Sequence, residues 1–275
     1  MFKDILLPML EGDIPESALH HARVLAEGCG GRVTALVAVS AYLPASADWV
    51  RRPLATYETL HQAATSALAE QVRNVEARLA RETVQHEVRG SQAFWSTPAE
   101  ILAAQAHIAD LIVLEARRPL DEPGRHLFAG ALIGSGRPVL LVPASDTPHA
   151  LGRVLVAWKP SREAARALHD AMPLLQAAAR VDVLIVDRKG SAPADGDSDA
   201  MLIEHLRRRA IEATLVHQPC TGASTGETIA AYAAQMHADL IVSGGYGRSR
   251  ALEQVFGGVT RFLLEHATIP VLFSH

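Results

Sequence analysis

The chain has little cysteine. Cys29 and Cys220 lie far apart and neither belongs to a CxxC pair. That excludes a disulfide scaffold and a thiolate zinc site. A basic excess is also missing: 26 Lys and Arg stand against 30 Asp and Glu, a formal net charge of -4. A nucleic-acid binder driven by bulk charge needs such an excess to displace counterions, so no nucleic acid is expected as a partner. No apolar run reaches the ~18 residues that span a membrane. The short run before Pro8 is followed by Glu11 and Asp13, unlike the longer apolar stretch of a signal peptide. The expectation is a soluble, cytoplasmic chain with no membrane partner. Neither GxGxxG nor a GK[ST] phosphate loop occurs in the glycine-rich part of the chain, so a dinucleotide oxidoreductase and a Walker-type site lack support.

What is present is ample core material. Of 275 residues, 49% are hydrophobic and 20% charged, and at roughly 150 residues per domain the length suits about two domains. Short apolar runs alternate with helical stretches. Asp4 to Met9, Arg32 to Ser40, Val84 to Val88, Asp110 to Glu115 and Arg137 to Pro143 read as strands. Between them, Pro15 to Gly28, Leu54 to Arg81 and a segment opened by Thr97-Pro98-Ala99-Glu100 read as helices, the last with a capping box. The order then repeats. Arg153 to Ala157, Val181 to Asp187, Thr214 to Gln218, Asp239 to Ser243 and Ile269 to Phe273 are strands. Ser161 to Ala179, Met201 to Arg209 and Thr225 to Met236 are helices, and Gly190 to Asp199 reads as a loop. Strands separated by helices imply βαβ units and a mainly parallel sheet.

The repeat is visible letter by letter. Ala109-Asp110-Leu111-Ile112-Val113 matches Ala238-Asp239-Leu240-Ile241-Val242, and Pro138-Val139-Leu140 matches Pro270-Val271-Leu272. This indicates an internal duplication, with domains over 1–146 and 151–275.

The most informative segment is Gly244-Gly245-Tyr246-Gly247, then Arg248 to Phe256, then Gly257-Gly258-Val259-Thr260. It follows a strand and precedes a helix. In an open parallel sheet, ligands bind beyond the carboxyl ends of the strands, glycines let the backbone approach a phosphate, and a helix start offers N–H groups to it. Arg248 and Arg250 add positive charge and Glu253 offsets part of it.

The duplicated α/β unit with Gly244-x2-Gly247-x9-Gly257 resembles the universal stress protein family, whose nucleotide-binding members carry G-x2-G-x9-G-[S/T] after the fourth strand. Val154 to Trp158 with Ser161 to Ala165 is similar to that family's first strand and helix. The resemblance covers both halves. It implies two tandem, open, Rossmann-like parallel sheets of five strands, with helices on both faces. It also implies ATP or another adenine nucleotide, with or without Mg2+. Carried onto this chain, the phosphate group comprises Gly244, Gly245, Gly247, Arg248, Gly257, Gly258, Val259 and Thr260. The adenine side is Val186, with Ala157 ending the first strand.

Two positions depart from the pattern. Gly258 stands where the family has a hydroxyl, and Thr260 offers a hydroxyl two residues on. Lys159 stands where the family has a ribose-binding Asp; it loses that contact or reaches a phosphate as a point charge. The first half departs further: Glu115-Ala116-Arg117-Arg118 has no glycine pair, Leu10 takes the ribose position, and Gly130, Gly134, Ser135 and Gly136 leave little room for a helix. No adenine nucleotide is expected there.

Nothing else reads as chemistry. The 13 histidines are scattered and read as solvated or satisfied. Thr225 reads as a helix cap, and Asp110, Asp182, Asp187 and Asp239 as strand-end carboxylates that cap turns. Catalysis needs a general base beside a nucleophile, and none is apparent. The expected function is a stress-response regulatory module that binds nucleotide through its second half and is not an enzyme; slow hydrolysis is left open. The alternative is a nucleotide-free structural or chaperone-like member. The strands Val139 to Val142 and Val271 to Phe273 are expected to pair the two halves intramolecularly, with a homodimer optional.

Overall fold

Parallel strands covered on both faces need apolar side chains at successive positions, and the strands here meet that demand. The computed structural model describes residues 1–10, 14–40, 54–93, 96–116, 121–144, 151–187, 196–220, 224–246 and 257–275. They divide into two compact units, one over Met1–Glu115 and Asp121–Arg137, the other centred on Pro138–His275.

The first unit contains β1 (Asp4–Leu10), α1 (Glu16–Cys29), β2 (Arg32–Ser40), α2 (Leu54–Leu79), β3 (Gln85–Ala93), α3 (Pro98–Ala106), β4 (Leu111–Ala116) and α4 (Glu122–Ala129). Its strand order is β3-β2-β1-β4, all parallel. Ile5, Leu7, Leu36, Leu111 and Ile112 are fully buried, and each such side chain contributes about 1.5–3 kcal/mol. α1 ends where Gly30 turns left-handed at φ 57, a conformation that costs glycine little.

The second unit contains β5 (Val139–Pro143), β6 (Arg153–Trp158), α5 (Arg162–Asp170), α6 (Met172–Ala177), β7 (Arg180–Asp187), α7 (Gly196–Arg207), β8 (Ala213–Pro219), α8 (Thr225–Gln235), β9 (Leu240–Gly244), α9 (Gly258–His266) and β10 (Val271–Ser274). Its order is β5-β10-β9-β6-β7-β8. All neighbours are parallel except β5 and β10, which run antiparallel with Val271 opposite Leu141 and Phe273 opposite Val139. The two strands that the sequence pairs therefore do lie side by side, and by its contacts β5 belongs with the second unit.

The duplication reaches individual hydrogen bonds. Asp110 Oδ2 accepts the amides of Lys3 and Asp4 at 2.7 and 3.0 Å, and Asp239 Oδ2 accepts those of Gly152 and Arg153 at 3.0 and 2.7 Å. Each aspartate ties the start of one β-strand to the start of its neighbour. Capping boxes open α3 through Thr97 and Glu100 and α8 through Ser224 and Glu227. The cap of α8 is thus Ser224, one residue before the Thr225 expected from sequence.

Three further expectations are corrected. The helix expected over Ser161 to Ala179 is two helices, because Pro173 has no N–H to continue the ladder. The first half does have a helix before β5: α4 is capped by Asp121, whose Oδ1 accepts the Gly124 amide at 2.9 Å, and runs into a π-helical turn over Gly130–Gly134. Gly130 and Gly134 are inside this helical segment, and Gly136 follows it at a left-handed φ of 64. A Cβ at Gly130 would lie 2.8 Å from the Ala99 Cβ, and one at Gly134 2.9 Å from the Ala103 Cβ, so their bare backbone lets α3 pack close. Asp182 caps no turn: it is fully buried, gripped by both arms of Arg180 at 2.9 and 2.8 Å, and accepts the Tyr232 hydroxyl at 2.8 Å.

Candidate functional site at the carboxyl ends of the second-unit strands

Four elements converge where β6 and β9 end. β9 delivers Ser243 and Gly244, β6 delivers Ala157 and Trp158, and α5 and α9 start nearby in the chain. Gly244 is demanded by packing: a Cβ there would lie 2.7 Å from the Ala164 nitrogen and 2.8 Å from the Glu163 carbonyl carbon. The first turn of α5 therefore rests directly on the end of β9. Ser161 caps that turn, its Oγ accepting the Ala164 amide at 3.2 Å.

The glycine segment is pinned on its β9 side. The Gly245 amide donates to the Ser274 carbonyl at 2.8 Å, and His275 Nδ1 lies 3.1 Å from the Gly245 carbonyl. Tyr246 takes a left-handed φ of 57, sets its ring edge-on to His275 at 6.3 Å, and donates its amide to Thr260 Oγ1 at 3.4 Å. Burial pushes the Tyr246 phenol pKa far up. Gly247, Arg248 and Arg250 lie outside the described residues.

Gly257 is the N-cap of α9 without a side-chain cap, and Gly258 is the first helical residue. Among the described residues, no atom lies within 4 Å of a Cβ placed on either. The first N–H groups of a helix have no intrahelical partner, so those of Gly258 and Val259 are aimed beyond the helix start. Thr260, the hydroxyl expected to substitute for the missing one at Gly258, is 3% exposed and already holds the Tyr246 amide.

The remaining candidates lie at or near the carboxyl ends of β6 and β7. Ala157 is half-buried and Lys159, just past β6, is exposed. Val186 is half-buried in β7 beside Gln218 of β8. Thus Ala157, Lys159, Val186, Gly244, Gly245 and Gly257 to Thr260 all sit at the carboxyl end of the sheet or at the helix that follows β9.

Sequence reasoning missed two groups. Glu163 is 6% exposed at the second position of α5. Burial opposes its charge, yet hydrogen bonds from Arg162, from its own amide and from Ser161 hold its pKa below the ordinary carboxylate value. It brings a carboxylate beside Gly244, and the first-turn acid after the Ser161 cap is its sequence signal. His217 in β8 lies between Asp187, 3.3 Å from Nδ1, and Asp199, 3.1 Å from Nε2. Asp199 is contributed by α7, in a stretch that sequence reads as loop.

The first unit is built differently at the matching point. Aligning Ala109–Val113 with Ala238–Val242 puts Glu115 where Gly244 stands. Its Oε2 accepts the Ser17 amide in the first turn of α1 at 3.2 Å. Among the described residues, no group of three His, Cys, Asp or Glu could hold a metal ion, and no helix is long and apolar enough to cross a membrane.

Comparison with known proteins agrees with this architecture. No curated protein matches the chain. A universal stress protein from Archaeoglobus fulgidus DSM 4304 superposes with a TM-score of 0.70 at 17% identity, over 98% of this chain and 95% of that one. A putative universal stress protein from Pseudomonas aeruginosa UCBPP-PA14 gives 0.60 at 18% identity, over 99% and 93%. These likenesses establish a shared fold. The model of the Universal stress protein family matches residues 1–136 and again 151–275. With both repeats matched, the chain belongs to the universal stress protein family.

Proposed function

We propose that the second unit binds an adenine nucleotide, ATP or a relative, and that the protein is a regulatory binding module of the stress response. The observation that carries this reading is the start of α9, which has no side-chain cap and, among the described residues, no atom close to Gly257 or Gly258. A helix start with N–H groups unmet by its own side chains favours an anion. The phosphates would rest on the amides of Gly258 and Val259, with Gly245, Gly247 and Arg248 completing the loop side. Lys159 would supply a mobile positive charge near the phosphates, offsetting Glu163. Ala157 and Val186 would face the base. Mg2+ would come to the site on the phosphates.

The reading is of a binding module, not an enzyme. The clearest titratable cluster in the second unit sets a carboxylate at each ring nitrogen of His217, so neither nitrogen faces a nucleophile. Occupancy by nucleotide, not turnover, is then the signal.

One observation favours the alternative, a nucleotide-free structural member. Thr260, the nearest hydroxyl to replace the one the family has at the Gly258 position, is only 3% exposed. The two readings separate in one experiment. The thermal midpoint of the protein is measured with and without millimolar ATP. A ligand at ~100 times its dissociation constant adds about 2.7 kcal/mol. An upward shift supports nucleotide binding; no shift, with no nucleotide released on denaturation, supports the nucleotide-free reading.

A further inference from the structure

The first unit contains a pocket of about 220 Å³ at the amino ends of its strands. It lies between the amino ends of β1 and β2 and the end of α3. Arg32, Thr34, Arg89 and Gln105 give it polar walls, and Leu6 and Ile108 give it apolar ones.

The second repeat shows why this space is open. The second strands begin alike, Arg32-Val33-Thr34 and Arg180-Val181-Asp182. Gln105 and Tyr232 each lie eight residues beyond the N-cap of their helix, Thr97 and Ser224. In the second unit the Tyr232 hydroxyl reaches the buried Asp182 at 2.8 Å. In the first unit, Thr34 replaces the carboxylate and Gln105 replaces the phenol. The matching positions thus carry a tyrosine bonded to a carboxylate in one repeat and two uncharged polar side chains lining a pocket in the other.

The polar groups left behind have hydrogen-bonding capacity to spare among the described residues. Thr34 is 4% exposed. Among the described residues, no hydrogen bond reaches its hydroxyl or the Gln105 amide. The charged groups are already matched. Arg32 Nε is 2.6 Å from Asp4 and its other arm 3.6 Å from Glu87, and Arg89 forms a two-pronged pair with Glu87 at 2.7 and 3.0 Å. The pocket therefore has hydrogen-bonding capacity and guanidinium faces without net charge to draw an anion. Ile108, 70% exposed, stands at its mouth as an apolar lip.

We propose that this pocket binds a small neutral phenol, a counterpart of the phenol that Tyr232 supplies at the matching position of the other repeat, with its hydroxyl bonded to Thr34 and Gln105. The guanidinium planes of Arg32 and Arg89 favour an aromatic face. This proposal is independent of nucleotide binding in the second unit.

The test is titration of the full chain with 4-methylphenol, toluene and benzoate, followed by amide chemical shifts. 4-Methylphenol is expected to give saturable shifts at Thr34, Gln105 and Ala109, with an affinity at least ~10-fold above that of toluene, because a site built for a hydroxyl rejects the analogue without one. Gln105→Tyr, which fills the pocket from within, is expected to remove those shifts. Thr34→Val, which keeps the strand residue's shape, is expected to weaken 4-methylphenol towards the toluene level; it serves as well if Gln105→Tyr does not fold. Absence of saturation, undiminished binding in a folded Gln105→Tyr or Thr34→Val variant, or benzoate binding tighter than 4-methylphenol would overturn the proposal.

Discussion

The Ser17 amide donates to the Glu115 carboxylate at 3.2 Å, and so the first repeat covers the start of α1 with a side chain of its own. At the matching place the second repeat has Gly244, whose bare backbone lets α5 settle on the strand. One position has thus been used in two ways, as a bare glycine under the α5 start in one repeat and as a carboxylate bonded to the α1 start in the other. Glu115→Ala removes a charged acceptor at a helix start and is expected to lower stability by about 0.5–1 kcal/mol. The urea midpoint at neutral pH measures it; an unchanged midpoint would show that the contact contributes nothing.

The glycines of the second unit divide by what surrounds them. Gly244→Ala forces a Cβ to within 2.7 Å of the Ala164 nitrogen, which only a backbone shift can relieve, and is expected to cost about 1–3 kcal/mol. Gly257→Ala meets no atom of the described residues and replaces a fair N-cap by a poor one, with an expected loss of about 0.5–1 kcal/mol. Thermal unfolding of both variants checks the ordering, and equal losses would contradict it.

The paired strand-start aspartates make a symmetric prediction. Asp110→Ala and Asp239→Ala each strand two amides that the carboxylate satisfies. Each is expected to destabilise by about 1–3 kcal/mol, read as a shift in the denaturant midpoint with little change in slope.

His217 provides the pH dependence. Burial lowers its pKa, but Asp187 first and Asp199 second outweigh that and raise it above the ordinary 6.5. A raised folded value means that the charged imidazole adds stability below pH ~6.5 and that this contribution is lost as pH rises through the folded value. The effect is screened, since the His217 and Asp187 side chains are 35% and 50% exposed. The urea midpoint of wild type relative to His217→Asn is expected to be higher at pH 6 than at pH 8.5. A difference independent of pH would contradict the ion-pair account.

How much of this was legible beforehand follows from the range of the interactions. The strands were readable because burial on both faces leaves apolar runs such as Val139–Val142. The α3 capping box, the Ser161 cap and the duplication were readable because their partners lie within a few residues or repeat as strings. Asp182 was misread because Tyr232, its partner across the fold, is 50 residues away. The His217 cluster was missed for the same reason, since Asp187 and Asp199 reach it from two other elements. Of the candidate site, position along the sheet was legible from the glycine spacing. That Gly244 serves packing while Gly257 and Gly258 meet no described atom, and that Thr260 is buried against Tyr246, depends on distances no spacing encodes.

The most direct measurement is calorimetric titration of ATP into wild type and into Gly258→Glu. A glutamate in the first turn of α9 suits the helix dipole, about 0.3–1 kcal/mol, so the variant stays folded while presenting a like charge to phosphate. The account predicts saturable one-site heat for wild type and none for the variant. Equal heats in both, or none in wild type, would contradict it.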